Sequence, residues 1–265
     1  MQPRHPGLKA VIFDWAGTMI DFGSRAPVIA LCKLFEANGV PISEAEARED
    51  MGRAKRDHIG ALLAKPRIAK AWEAARGAPP TEADGDALFA AIGESMREAA
   101  RDCGTLIPGA AQVAKALQAE GVKLGSCTGY SREMMADILP MAREQGYAPD
   151  FVVCANETPA GRPSPLMAWK NLVELGVWPA SACVKVDDTD VGIAEGRAAG
   201  LWTIGVVRSG NIVGLCAADL DALPAAERDQ RLASARDKLM AAGAHLVIDT
   251  VADLPEALET FDFTA

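Results

Sequence analysis

The sequence predicts an α/β fold in which a parallel sheet is interrupted early by an all-helical insert. Three observations predict it. From about residue 107 onward, short apolar runs alternate with amphipathic segments, the pattern of strands joined by covering helices. One further apolar run stands alone near the start, over 9–14. Between that run and the rest, residues 24–104 are rich in Ala, Glu and Arg at helical spacing, with no convincing strand.

Each element follows from its own residues. "VIFDWAGTMID", Val11 to Asp21, is apolar up to Asp14 and then turns polar and Gly-containing, as a buried parallel strand ending in a loop does. The insert holds "APVIALCKLFEANG", "SEAEAREDMG", "AKRDHIGALLAK", "RIAKAWEAARG" and "TEADGDALFAAIGESMREAARDCG". In it, "SEAE" at 43–46 and "TEAD" at 81–84 resemble capping boxes, Ser or Thr followed three residues later by an acid. Later strands are expected at "VKLGSC" (122–127), "FVVC" (151–154), "CVKVD" (183–187), "WTIGVV" (202–207) and "HLVID" (245–249). "GAAQVAKALQAEG" and "PLMAWKNLVELG" end at Gly, as helix C-caps often do. "LCAADLDALPAAERDQ" and "FDFTA" read only as helix and loop. The expected organisation is a Rossmann-like core over 1–23 and 105–265 and a helical domain over 24–104.

Composition narrows the function. With 265 residues, 49% hydrophobic and 24% charged, the chain can bury a sizeable core. A net charge of −9 argues against a nucleic-acid partner, while a few local Lys or Arg can still bind a small anion. Six cysteines without a CxxC pair, and only three His, argue against zinc; the cysteines read as small buried hydrophobes in a reducing cytoplasm. The start lacks a signal-peptide apolar region, and no run of 18 apolar residues offers a membrane span.

In open α/β sheets ligands bind at the carboxyl ends of strands, which gathers Asp14, Thr128, Asp187 and Asp188 at one crevice. Asp14 can attack phosphorus, with Gly17 letting backbone N–H groups approach an anion beside Thr18; the alternative is an Asp that caps the turn. Thr128 and Gly129 in "SCTGYSRE" can hold phosphate oxygens, or Thr128 can cap a helix holding "SREMMADIL". Arg162 in "GRP" is either a phosphate-binding cation or a solvated side chain. Asp187, Asp188 and Asp190 suit Mg²⁺, or they cap the next helix; three acids in four residues repel one another without a cation.

Together and in this order, Asp14, Thr128, Arg162 and Asp188 resemble the haloacid dehalogenase superfamily of phosphotransferases. The resemblance implies that 24–104 is a small mobile cap. Most phosphatases of that superfamily carry an Asp two residues after the nucleophile, as general acid and base. Here that position is Ala16. Ala16 together with "VIFDWAGT", "MGRAKRDH", "TGYSREMM", "PAGRPSP" and "EGRAAGLWTIGV" is similar to the phosphonoacetaldehyde hydrolase family. A C–P bond has no bridging oxygen to protonate, so an electron sink is needed instead of an acid. The resemblance supplies one: Lys55 forms an iminium with the aldehyde, and Asp14 takes the phosphoryl group, yielding acetaldehyde and phosphate.

The same resemblance implies that Arg162 and Thr128 hold the phosphoryl oxygens. It implies Mg²⁺ on Asp14, the main chain of Ala16, Asp188 and Asp187, and a homodimer through the cap helices. Arg53 and Arg56 beside Lys55 are expected to disfavour its ammonium form, although a solvated Lys fits the bare residues too. His58 either relays protons to Lys55 or packs. Met51 and Tyr130 line the pocket or the core. Superfamily members often place Gly before the first metal-loop acid and a second acid four residues after it. Those positions are Asp187 and Gly192, so the second acidic role falls to Asp187, Asp190 or water. The rival readings are a phosphomonoesterase, against which Ala16 argues, and a non-catalytic phospho-ligand sensor, against which intact Asp14 and Lys55 argue.

Overall fold

The computed structural model describes residues 4–264. Six strands form one sheet: β1 (Ala10–Phe13), β2 (Lys123–Thr128), β3 (Phe151–Cys154), β4 (Cys183–Asp187), β5 (Trp202–Val206) and β6 (Leu246–Ile248). Their order is β3-β2-β1-β4-β5-β6, and every pairing is parallel. All six lie where the apolar runs predict them, within a residue or two at each end. The helices are α1 (Ala26–Ala37), α2 (Glu44–Arg48), α3 (Lys55–Ala64), α4 (Pro66–Arg76), α5 (Glu82–Cys103), α6 (Ala110–Ala119), α7 (Ile138–Glu144), α8 (Leu166–Leu175), α9 (Asp190–Ala198), α10 (Ala217–Ala222), α11 (Ala225–Ala241) and α12 (Leu254–Leu258).

Strand β1 is central and fully buried, which explains its unbroken apolar sequence. Its side chains alternate between two cores. Ala10 and Ile12 pack with Met167, Ala168 and Leu172 of α8, while Val11 and Phe13 join the larger core that includes Leu117 of α6 and Leu258 of α12. That larger core continues into the insert through Leu31 and Phe35 of α1, Ile59 of α3 and Ile92 and Met96 of α5. No strand lies between β1 and β2 among the described residues. Both expected capping boxes form: Ser43 Oγ accepts from the Glu46 amide and Thr81 Oγ1 from the Asp84 amide, with each acid returning to the cap amide.

The two crossings between insert and sheet run side by side. The Asp21 amide donates to the Thr105 carbonyl (3.1 Å), and Ile107 to Met19 (2.9 Å). Asp21 adopts φ 56° there, held because its buried carboxylate accepts from the amides of Arg25 (2.9 Å) and Ala26 (2.8 Å) at the start of α1.

One helical expectation fails. "SREMMADIL" makes turns, and α7 begins only at Ile138. Arg132 is drawn out to Glu157 (2.7 Å) and the Val152 carbonyl (2.7 Å), and these distant contacts override the local pattern. All six cysteines are free. Among the described residues, no helix is long and apolar enough to cross a membrane.

Candidate active site

Register brings the site together. Phe13 pairs with Ser126 on one side and Val186 on the other, so the next residues, Asp14, Cys127 and Asp187, leave three adjacent strands at one level. Asp14 is 6% exposed, and its amide donates to Val186 (2.9 Å). Asp14, Ala16, Met51, Lys55, Thr128, Gly129, Tyr130 and Arg162 line a single cavity between sheet and insert. Ser24, Pro27, Gly52 and Thr189 complete its wall.

Arg162 is buried rather than solvated. Its Nη2 donates to Asp14 Oδ1 (2.7 Å) and the Cys127 carbonyl (2.8 Å), and its Nε to Glu195 Oε2 (3.0 Å). Lys185 Nζ lies 3.2 Å from Asp187 Oδ2 and 3.1 Å from Glu195 Oε2, inside the sheet. Burial works to raise the Asp187 carboxyl, but Arg162 and Lys185 overcome it and hold Asp187 below the usual carboxylate range.

Asp188 has the opposite environment. Burial, then the charges of Asp14 and Asp187, push it well above the ordinary value. Burial also raises Asp14, with Arg162 opposing and Asp187 adding. Ligand oxygens of Asp14, Asp187 and Asp188 lie within 4.8 Å of one another. Asp190, the third acid of the sequence cluster, is exposed and bonded to the Val191 amide (2.7 Å). The buried trio is therefore completed by Asp14. Helix α9 is capped by Thr189, whose Oγ1 accepts from the Gly192 amide (3.2 Å), so Asp187 and Asp188 are not spent as caps. Among the described residues no Lys or Arg pairs with Asp188, and an all-oxygen cluster of like charges fits a hard divalent cation.

Gly17 and Thr18 serve Asp188 rather than facing the cavity. The Gly17 amide donates to Ile20 (2.8 Å), so it is not free for an anion. A Cβ at Gly17 would lie 2.2 Å from Asp188 Oδ2, and Thr18 Oγ1 donates to Asp188 Oδ1 (3.2 Å). Gly192 is explained in the same way. A Cβ there would lie 2.0 Å from the Asp187 carboxylate, so Asp187 fills the space a side chain at 192 would need. Thr128 Oγ1 accepts the Tyr130 amide (3.1 Å), closing a tight turn that faces the cavity.

Lys55 opens α3 from the insert and is 3% exposed. Its Nζ is 3.9 Å from Met51 Sδ and 5.5 Å from the Tyr130 ring centre. Burial lowers its pKa to about 8, with Asp14 opposing and Arg162 adding. The expected cause was different: Arg53 instead pairs with Asp50 (3.4 Å) and Arg56 with Asp86. His58 is fully buried behind Lys55, outside the cavity wall, with neither ring nitrogen hydrogen-bonded. Burial and then Lys55 lower it to about 2, so it is neutral.

Sequence reasoning missed Lys185, Glu195, Ser24 and Thr189. Lys185 did carry a signal, a lone cation inside the apolar run "CVKVD". Glu195 carried a weaker one, an acid among small residues in "GIAEGRAAG".

The chain is similar to known proteins in sequence and in fold. The haloacid dehalogenase-like hydrolase family matches residues 8–200. A phosphonoacetaldehyde hydrolase of Paraburkholderia phytofirmans is 51% identical, over 93% of this chain and 92% of that one. One from Bacillus cereus is 40% identical, over 95% and 96%. The crystal structure of a phosphonoacetaldehyde hydrolase-like protein from Oleispira antarctica superposes with a TM-score of 0.94 at 42% identity, covering 98% of this chain and 95% of that one. The chain is an enzyme that belongs to the phosphonoacetaldehyde hydrolase family of the haloacid dehalogenase-like hydrolases.

Proposed function

We propose that the protein hydrolyses the C–P bond of phosphonoacetaldehyde to acetaldehyde and phosphate, in phosphonate degradation. One observation carries the reading. A buried amine of lowered pKa, Lys55, shares a cavity with Asp14, and the residue where an acid would serve a leaving alcohol is Ala16. The names of its relatives, phosphonoacetaldehyde hydrolases, support the same substrate.

The neutral Lys55 amine adds to the aldehyde, and with one proton taken up from solvent the carbinolamine expels water, giving a protonated imine, the iminium. An Asp14 oxygen attacks phosphorus; the C–P electron pair moves into the iminium and leaves an enamine on Lys55. Arg162 and Thr128 receive the phosphoryl oxygens, with Gly129, Met51 and Tyr130 walling the aldehyde side. Water then attacks the aspartyl-phosphate and releases phosphate. Protonation of the enamine carbon restores the iminium, and a second water releases acetaldehyde. His58, neutral and one turn along α3, is the candidate relay for the protons of amine addition.

Asp14, Asp188 and the main-chain carbonyl of Ala16, with Asp187 behind them, would hold Mg²⁺, which when bound offsets negative charge on the phosphoryl oxygens. Residues 24–104 act as a cap over a core of 1–23 and 105–265, and excluding water from the iminium requires it to close. A second copy of the chain docks through the cap helices, a state that sedimentation would reveal.

The test is trapping. Incubation with phosphonoacetaldehyde and borohydride should place an ethyl adduct on Lys55, found by peptide mass spectrometry, and Lys55→Arg should abolish both adduct and turnover. Asp14→Ala should still trap aldehyde at Lys55 while releasing no phosphate. Absence of any adduct, in protein that hydrolyses ordinary phosphate esters, would sink the C–P reading in favour of a phosphomonoesterase.

A further inference from the structure

Arg48, the last residue of α2, lies seven residues before Lys55 and touches no reacting group. Its guanidinium reaches from the insert to the sheet. Nη1 donates to the carbonyls of Gly23 (2.9 Å) and Ser24 (3.3 Å), at the joint between them, and to Asn211 Oδ1 (3.1 Å). Nη2 donates to the Gly214 carbonyl (2.9 Å). Asn211 answers from the sheet side, its Nδ2 donating to the Arg48 carbonyl (3.3 Å). The fit is close: a Cβ at Gly214 would lie 2.8 Å from Arg48 Nε.

Loop 209–214 does more than receive Arg48. The Asn211 amide donates to Asp188 Oδ2 (2.7 Å). Ser209 Oγ donates to the Gly17 carbonyl (2.7 Å), and the Ser209 carbonyl accepts from the Gly23 amide (2.7 Å). One loop thus touches the joint, the turn after Asp14, the Asp188 carboxylate and the insert. The acceptors facing Arg48 are neutral amide oxygens, and its nearest carboxylate, Glu44, is 4.0 Å away. Such bonds are weaker than an ion pair and can open during a catalytic cycle.

We propose that Arg48 and Asn211 form a latch that holds the insert shut over the sheet and, through the same loop, sets the Asp188 carboxylate. Arg48 is a positioning residue: it acts on Lys55 by keeping it buried beside Asp14. Only a planar fork spans the joint and the loop together, so Lys is a poor substitute. The effect on turnover rests on the reading of Lys55 and Asp14 above; the latch itself is tested without substrate.

The probe is amine acetylation of Lys55, followed by peptide mass spectrometry in the full-length protein. Arg48→Ala should acetylate at least about tenfold faster than wild type, the loss expected for hydrogen bonds to a charged group. Asn211→Ala should do the same, and the double variant should be little faster than either single one. Arg48→Lys should fall between, and it carries the test if Arg48→Ala fails to fold. With phosphonoacetaldehyde, kcat should drop by roughly tenfold or more in each. Wild-type acetylation rates in the Arg48 variants, or effects of Arg48→Ala and Asn211→Ala that multiply independently, would overturn the latch. If wild-type protein traps no aldehyde, the catalytic reading fails while acetylation still judges the latch.

Discussion

Replacing Lys55 with Met should destroy activity and stabilise the protein, and the gain should vanish at high pH. Lys55 titrates at about 8 in the folded protein against 10.5 ordinarily, chiefly because burial penalises its ammonium. Below pH 8 the fold carries that penalty in full, since both states are protonated. Between 8 and 10.5 the unfolded chain binds a proton that the folded one lacks, so wild-type stability rises with pH and the penalty fades. At about 1.4 kcal/mol per unit, the gap amounts to about 3 kcal/mol at pH 7 and about 1 kcal/mol at pH 9.5. For a chain of this size that is roughly 6–12 °C in Tm at pH 7. The assay is thermal unfolding of both proteins in chelator at the two pH values. A Met variant no more stable at pH 7, or equally favoured at both, would refute the burial argument and with it the source of the reactive amine.

Glu195→Gln should cut kcat by at least about tenfold and lower stability by about 3 kcal/mol, because it leaves Arg162 and Lys185 short of a buried counter-charge; urea unfolding and phosphate release measure the two effects. Gly192→Ala should destabilise by about 1–3 kcal/mol and weaken activity by displacing the Asp187 carboxylate, whereas Gly93→Ala, with open space around it inside α5, should stabilise by up to about 1 kcal/mol in the same unfolding assay. Asp188→Asn should raise Tm in chelator at pH 7, since burial and two neighbouring carboxylates penalise the ionised form there. The same variant should lose the Tm increase that Mg²⁺ gives wild type, a comparison made by thermal shift with and without the ion.

The strands were readable because burial on both faces leaves an unbroken apolar run, as in β1, or one interrupted by a single cation, as at Lys185 in β4. The site was readable where chemistry needs a particular group at a strand end, as at Asp14, Thr128 and Asp188. Three features depended on distant chain and left no local trace. The residues at 131–137 fail to form helix because Arg132 answers to Glu157 and Val152. Gly17 looks like an anion cradle, but its amide closes a turn and its bare Cα makes room for Asp188. The lowered amine of Lys55 comes from enclosure by the insert, not from the arginines beside it, which find carboxylates elsewhere. Arg48 was silent and Glu195 nearly so, because the loop partners of Arg48 lie 163 and 166 positions away and Arg162, which Glu195 accepts from, lies 33 away.

The buried charges at the strand ends explain why these parts belong together. Asp14, Asp187, Asp188 and Glu195 are four buried acids, and among the described residues only Arg162, from the loop after β3, and Lys185, in β4, pair with them. Those two cations are committed to Asp14, Asp187 and Glu195, and Asp188 is left over. Raising the Asp188 carboxyl until it holds a proton would relieve one charge, but it would remove an oxygen donor from the cavity edge. A divalent cation relieves two and keeps the donor, which matches the sign and size of the imbalance. Lys55 stays outside this balance because it arrives from the insert. Were it built into the sheet like Lys185, the acids would hold its proton, and the amine would never be free to attack an aldehyde. Separating the amine from the acids on two pieces of chain keeps both reactive, and it makes the contact that brings them together, through Arg48 and the 209–214 loop, part of the chemistry.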